Sequence, residues 1–258
     1  MLILLTNDDG VYAPGLRALN QALLHAGHEV FVAAPETEQS AVGHAITLVD
    51  PIRVRPLGPP AGLSGYAVDG TPADCVKLAV SELMPRPPEL VVSGINQGAN
   101  VGFNLFYSGT VSAATEAALM GLASLAFSYN SHRDQDFSQS AHIAARLVGL
   151  YPRLAPDPVV SLNVNLPAVD LAKIKGIRLA RQSTARLGEK FLRRTDPRDR
   201  VYYWQAGETQ STDGGSDADY PLLNDGYVTI TPVRHDLTHE DELRRLGTLT
   251  SLLNWPMD

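Results

Sequence analysis

The strongest constraint on this chain is a series of short apolar runs separated by helical segments. Leu2 to Thr6 reads Leu-Ile-Leu-Leu-Thr and stops at Asn7-Asp8-Asp9-Gly10. Glu29 to Pro35, Glu89 to Asn96, Leu122 to Tyr129 and Val159 to Pro167 are further runs rich in apolar residues. A strand without polar alternation has both faces covered, the condition of a parallel sheet held between two layers of helix. Helical segments fall between the runs. Pro14 to Ala26 places Leu16, Leu19 and Leu23 on one face and ends at Gly27. Thr71 caps a helix that begins at Pro72 and carries Val76, Val80 and Leu83. A small-residue helix opens near Thr110, and Ile143, Leu147 and Leu150 mark another. The alternation predicts a doubly wound α/β sheet, mainly parallel. Ile46 to Pro56 reads as two short strands about a turn at Asp50-Pro51.

The pattern changes after Arg181. From Ser183 to Asp225 the chain is rich in charge, Gly and Asp, with one aromatic patch at Tyr202-Tyr203-Trp204. This predicts a protruding hairpin arm over 182–226, after a catalytic core over 1–181. Aromatic residues on a thin ribbon have little core to hide them, so the arm is expected to reach a second subunit. Residues 227–258 supply an alternating strand, Tyr227 to Val233, and a last helix after Thr238. Thr238 and Asp241 form a capping-box pattern, and Leu243, Leu246, Leu249 and Leu253 form an apolar stripe.

Composition removes several classes of function. The formal net charge is −7 and no run of Lys or Arg exceeds two residues. A nucleic-acid binder needs a basic stripe to displace counterions, so a phosphorylated partner is expected to be small. The opening Met-Leu-Ile-Leu-Leu lacks a basic flank and is too short for a signal peptide. No window approaches the roughly 20 apolar residues that span a bilayer. Cys75 is the single cysteine, which fits a soluble, cytoplasmic protein.

The chemistry gathers at strand ends, where parallel sheets bind their ligands. Asp8 and Asp9 are adjacent carboxylates that repel by about 1 kcal/mol at 4 Å in water and about 4 at an effective dielectric of 20. A divalent cation converts that repulsion into binding, and hard oxygen donors favour Mg²⁺ or Mn²⁺. Read alone, Asn7 to Gly10 is equally a polar turn. Ser40, beyond the second strand, offers a neutral oxygen. Asn96, at the end of a later strand, offers an amide oxygen to a metal or an amide N–H to a phosphate. Ser108, Gly109 and Thr110 stand where a helix opens, which makes either an anion cradle or an ordinary N-cap. Cation ligands beside an anion cradle suit a phosphate monoester, cleaved by in-line attack of water.

Thr6 to Gly10 (TNDDG), the loop AAPETEQSAVGHAIT, the glycine-rich VSGINQGANVG, the segment YSGTVSAATEAAL and the late GYVTITPV together resemble the SurE family of stationary-phase survival nucleotidases. The resemblance runs in order along nearly the whole chain. It implies a Rossmann-like core and metal-dependent hydrolysis of nucleoside 5′- and 3′-monophosphates, the activity of a 5′-nucleotidase. It implies one divalent cation, Mg²⁺ or Mn²⁺, on Asp8, Asp9, Ser40 and Asn96, with Asp8, Asp9 and Asn96 catalytic. The phosphate would lie on Asn96, Ser108, Gly109 and Thr110. It also implies a homodimer or homotetramer built by exchange of C-terminal segments. One stretch departs from the family pattern: where TDxxAV is usual, this chain reads Gly214 to Tyr227, with Asp217 or Asp219 as the counterpart.

Two other classes compete. A receiver-like regulator also sets adjacent acids after its first strand to hold Mg²⁺, but needs a phosphoacceptor Asp where this chain has Ile95-Asn96. A nucleotide-sugar transferase can use an Asp-Asp pair, but the short Ser-Gly-Thr turn suits a terminal phosphate better. His44 is a candidate acid or base near the metal, with polar surface as the alternative. Lys77 reads as part of a solvated helix face.

Overall fold

The computed structural model describes residues 1–58, 62–133, 136–154, 160–188, 190–207, 209–213 and 215–248. Six parallel strands form the centre of its sheet: β1 (Leu2–Thr6), β2 (Glu29–Pro35), β4 (Gly65–Asp69), β5 (Leu90–Gln97), β6 (Ser124–Tyr129) and β7 (Ser161–Leu166). With β3 (Arg53–Pro56), β8 (Ile177–Leu179) and β13 (Val228–Val233), the sheet has nine strands in the order β3-β4-β2-β1-β5-β6-β7-β13-β8. Two pairings break the parallel pattern, β3 on β4 and β13 on β7.

The apolar runs are explained by helices on both faces. Ile3 and Leu5 join one core cluster with Leu16, Leu19 and Leu23 of α1 (Pro14–His25) and with Ala144, Leu147 and Val148 of α4 (Ser138–Leu154). Leu4 points the other way, into a cluster with Cys75 and Val76 of α2 (Pro72–Leu78) and Ala113 and Ala117 of α3 (Gly109–Leu119). Thr71 caps α2 as expected: its hydroxyl accepts from Asp74 N–H at 3.1 Å, while Asp74 accepts from Thr71 N–H at 2.9 Å. A turn of π-helix over Ala79–Leu83 then carries Val80 and Leu83.

Three local expectations change. The stretch before Arg53 forms no strand, so Ile46 to Pro56 contributes one strand and not two. Gly65–Asp69, which carries no strong apolar run, is a strand because it fills the sheet beside β2. The last helix, α6 (Glu240–Gly247), is capped by His239, whose Nδ1 accepts from Glu242 N–H at 3.1 Å, and not by Thr238. Leu243 and Leu246 of its stripe are exposed, whereas Leu249 and Leu253 lie outside the described residues.

The arm is a hairpin of β10 (Lys190–Thr195) and β11 (Val201–Ala206), antiparallel and exposed along its length. At its base β9 (Arg186–Leu187) pairs with β12 (Thr209–Gln210). The chain then forms α5 (Asp219–Asn224) and returns to the sheet as β13. No helix among the described residues is long and apolar enough to cross a membrane.

Candidate active site

The connection after β1 leads to β2 on one side, while β5 pairs with β1 on the other. The sheet therefore reverses its winding between β1 and β5, and ligands of such sheets bind in the crevice at that point. Asp8 and Asp9 stand there. The turn that ends β1 is held by Asn7, whose Nδ2 donates to the Gly10 carbonyl at 2.9 Å, and by Gly10 at φ 98°. Once the strand has ended, the two carboxylates no longer need to face opposite sides.

Asp8 is 5% exposed and packs against the start of α3. The Thr110 hydroxyl donates to its Oδ1. A Cβ on Gly109 would lie 2.7 Å from Asp8 Cβ, so glycine is what lets the helix approach the carboxylate. Burial pushes the Asp8 carboxyl up, and hydrogen bonds from the Thr110 side chain and the backbone at Thr110 and Gly109 act against it. Burial, and after it the charge of Asp8, raises Asp9 to about 7; Gln97 N–H, 3.3 Å from Asp9 Oδ2, opposes this.

Two loops complete the crevice. Gln39 N–H donates to the Asp8 carbonyl at 2.8 Å, which holds the Ser40 loop beside the pair. Ser40 Oγ donates to Glu38 Oε1 at 2.5 Å. A register shift in the β5–β6 pairing falls between Ser93 and Asn96, and such irregularities re-aim side chains. Asn96 Nδ2 donates to the Gly98 carbonyl at 2.9 Å, which leaves its amide oxygen as the atom suited to a cation. Asp8, Asp9, Ser40, Asn96 and Ser108 line one cleft of about 1010 Å³. Among the described residues no group of three His, Cys, Asp or Glu side chains is arranged to hold a metal. The set gathered here is of another kind, two carboxylates with a hydroxyl and an amide. All are hard oxygen donors, so the set fits Mg²⁺ or Mn²⁺.

The Ser-Gly-Thr turn divides its groups. Ser108 is the N-cap of α3, its Oγ accepting from Val111 N–H at 3.1 Å, and it also faces the cleft. Thr110 is fully buried and gives its hydroxyl to Asp8. His44 does not line this cleft: its Nε2 meets Glu116 Oε2 at 2.7 Å, and Lys77 Nζ meets Glu116 Oε1 at 3.0 Å. Lys77 is thus paired to a buried acid. Sequence reading missed His132, Phe103, Tyr107 and Arg186, all of which line the cleft. Only the packing of His132 on Gly98 had a sequence signal, the glycine itself: a Cβ there would lie 2.3 Å from the imidazole Cε1.

A family profile described as Survival protein SurE matches residues 3–189. The chain belongs to the SurE family. Among curated relatives of this SurE chain, the 5′-nucleotidase SurE of Syntrophobacter fumaroxidans is 50% identical over 96% of this chain and 98% of its own. That of Syntrophus aciditrophicus is 50% identical over 97% and 94%. The crystal structure of the SurE protein from Aquifex aeolicus superposes with a TM-score of 0.83 at 36% identity, covering 97% of this chain and all of that one. The match over nearly full length shows that the arm and the strand after it are part of the SurE fold as well.

Proposed function

We propose that this SurE chain is a divalent-metal-dependent phosphomonoesterase that converts nucleoside 5′- and 3′-monophosphates to nucleoside and phosphate. The observation that carries the reading is the pair of buried Asp8 and half-buried Asp9 at the reversal point of the sheet, in a chain half identical to proteins named 5′-nucleotidase. Asp8, Asp9, Ser40 and Asn96 are the proposed ligands of one Mg²⁺ or Mn²⁺ per subunit. When bound, the cation supplies charge neutralisation to the phosphoryl oxygens and activation of water.

The protein's own groups do the positioning. Ser108 faces the cleft and offers its hydroxyl to an anion, and Asn96 borders the same space, whereas the backbone N–H groups of Gly109 and Thr110 are turned to Asp8. Thr110 acts one step back, by orienting Asp8. Water attacks phosphorus in line with the ester oxygen; the new P–O bond forms as the ribose P–O bond breaks, and the leaving oxygen takes up a proton.

The test is a panel of 5′- and 3′-mononucleotides, with released phosphate measured in Mg²⁺, in Mn²⁺ and in excess chelator. Turnover that requires metal supports the reading. Absence of turnover on every mononucleotide, with metal content confirmed, overturns it and leaves a non-enzymatic metal-binding role.

A further inference from the structure

We propose that Arg186, carried by the base of the arm, binds the phosphoryl group of the substrate across the cleft from Asp8 and Asp9. The inference rests on the phosphomonoesterase reading above and extends it to a part of the chain outside the core motifs.

The first argument is charge. Asp8, Asp9 and Glu38 all line the cleft, and Arg186 is the one Lys or Arg among the described residues that does so. A divalent cation offsets two of the three carboxylates. A phosphomonoester then enters with a charge of about −1.5 to −2 near neutral pH, into a space where Glu38 still repels it. A guanidinium corrects this balance and matches phosphate geometry with two parallel N–H donors. Arg186 is exposed, and its side chain has no hydrogen-bond, ion-pair or ring partner among the described residues. Its guanidinium is therefore uncommitted, unlike that of Arg181, which is held by Asp213 and Asp217.

The second argument is placement. The chain leading to Arg186 is stitched to the cleft wall. Phe103 N–H donates to the Ala185 carbonyl at 2.5 Å, and Gln182 Nε2 donates to the Gly102 carbonyl at 2.8 Å. Asp219, fully buried, accepts from Gly102 N–H and from Ser183 N–H, both at 3.0 Å. On the other strand of the ribbon, Thr209 Oγ1 accepts from Asn104 Nδ2 at 3.1 Å. A Cβ on Gly102 would lie 2.1 Å from the Ala185 carbonyl oxygen, so the two segments meet backbone to backbone. The ribbon of β9 and β12 is thus a fixed wall of the cleft, and Arg186 is mounted on it.

The test compares wild type with Arg186→Gln, Arg186→Lys and, as a control outside the cleft and the arm, Arg86→Gln. Three quantities are read in metal-loaded protein: KM and kcat for a nucleoside 5′-monophosphate, inhibition by inorganic phosphate, and direct phosphate binding by calorimetry. Arg186→Gln is expected to raise KM and weaken both phosphate readouts by about tenfold or more, since a hydrogen bond to a charged group is lost. Arg186→Lys should recover part of the loss and Arg86→Gln should match wild type. Wild-type KM and phosphate affinity in Arg186→Gln would overturn the proposal. So would an unchanged phosphate affinity accompanied by a change in particle mass, which would assign Arg186 to a subunit contact. If Arg186→Gln loses its cooperative melt, Arg186→Lys carries the test, and wild-type phosphate affinity there overturns the proposal. Failure of the wild type to hydrolyse any mononucleotide counts against the enzymatic reading alone, because the calorimetry still reports on Arg186.

Discussion

The Thr110 hydroxyl donates a hydrogen bond to Asp8 Oδ1, joining residues 102 positions apart in the chain. This bond ties the first turn of α3 to the end of β1 and sets which way the Asp8 carboxylate faces. Groups that orient metal ligands in this way typically matter by about 10–100-fold in metal affinity. Thr110→Val is therefore expected to weaken Mn²⁺ binding on that scale. Titration calorimetry on metal-free protein checks it, and wild-type affinity in the variant would remove Thr110 from the metal site. Ser108→Ala should instead lower stability by about 1 kcal/mol through loss of the cap, and raise KM, with little change in metal affinity.

Removing either acid of the pair should abolish function without unfolding the protein. Asp8→Asn and Asp9→Asn are expected to cut phosphate release by about a hundredfold or more, as excess chelator should in the wild type. Each variant relieves one repulsion between adjacent carboxylates, so in metal-free buffer its melting temperature should equal or exceed that of the wild type. Undiminished turnover in chelator, at metal content near zero, would sink the metal hypothesis.

Stability of the metal-free protein should depend on pH through Asp9. Its folded-state pKa of about 7 lies above the ordinary value of 3.8 because burial and Asp8 disfavour the charged form. The stabilisation due to the neutral acid is complete below the ordinary value and is lost as pH rises through about 7. The melting temperature should accordingly fall between about pH 4 and about pH 7 and level off above. Asp9→Asn should flatten that slope, and saturating Mg²⁺ should raise the wild-type value most at the alkaline end. A slope identical in wild type and Asp9→Asn would show that other groups set it.

Gly109 tests how closely α3 approaches the pair. An added Cβ would stand 2.7 Å from Asp8 Cβ and 3.0 Å from Pro72 Cγ. Gly109→Ala should cost about 1–3 kcal/mol of overpacking and should displace Asp8 enough to lower metal affinity. Unchanged melting and unchanged affinity would mean that the helix can slide away freely.

The outer hairpin presents Tyr202, Tyr203 and Trp204 at 42%, 61% and 64% exposure, so none of the three is hidden within the subunit. Tyr202 and Trp204 share a face and meet edge to face at 6.5 Å. The hairpin is proposed to bury this face on a second subunit, giving at least a homodimer. Light scattering at micromolar concentration should show that mass in the wild type, and replacing the three residues with Ser should reduce it. A monomeric wild type would refute the assembly; a dimer indifferent to the replacement would remove the hairpin as its cause.

The local elements follow from the sequence because their causes are local. Unbroken apolar runs demand two covered faces, Thr71 and Asp74 satisfy each other three residues apart, and the alanines of α3 pack flat against the sheet. The four side chains proposed as ligands could also be singled out, since each stands past or near the end of a recognisable strand. Tertiary structure alone decided how the polar groups were shared out. Nothing in the turn Ser108-Gly109-Thr110 says that one hydroxyl caps a helix while the other grips Asp8. Nothing near His44 announces Glu116, 72 positions away. Arg186 enters the cleft only because the arm folds back against Gly102 and Phe103. Periodicity and capping act over a few residues, so a sequence displays them. A hydrogen bond between distant segments depends on which strand lies beside which, and that order is settled only when the sheet assembles.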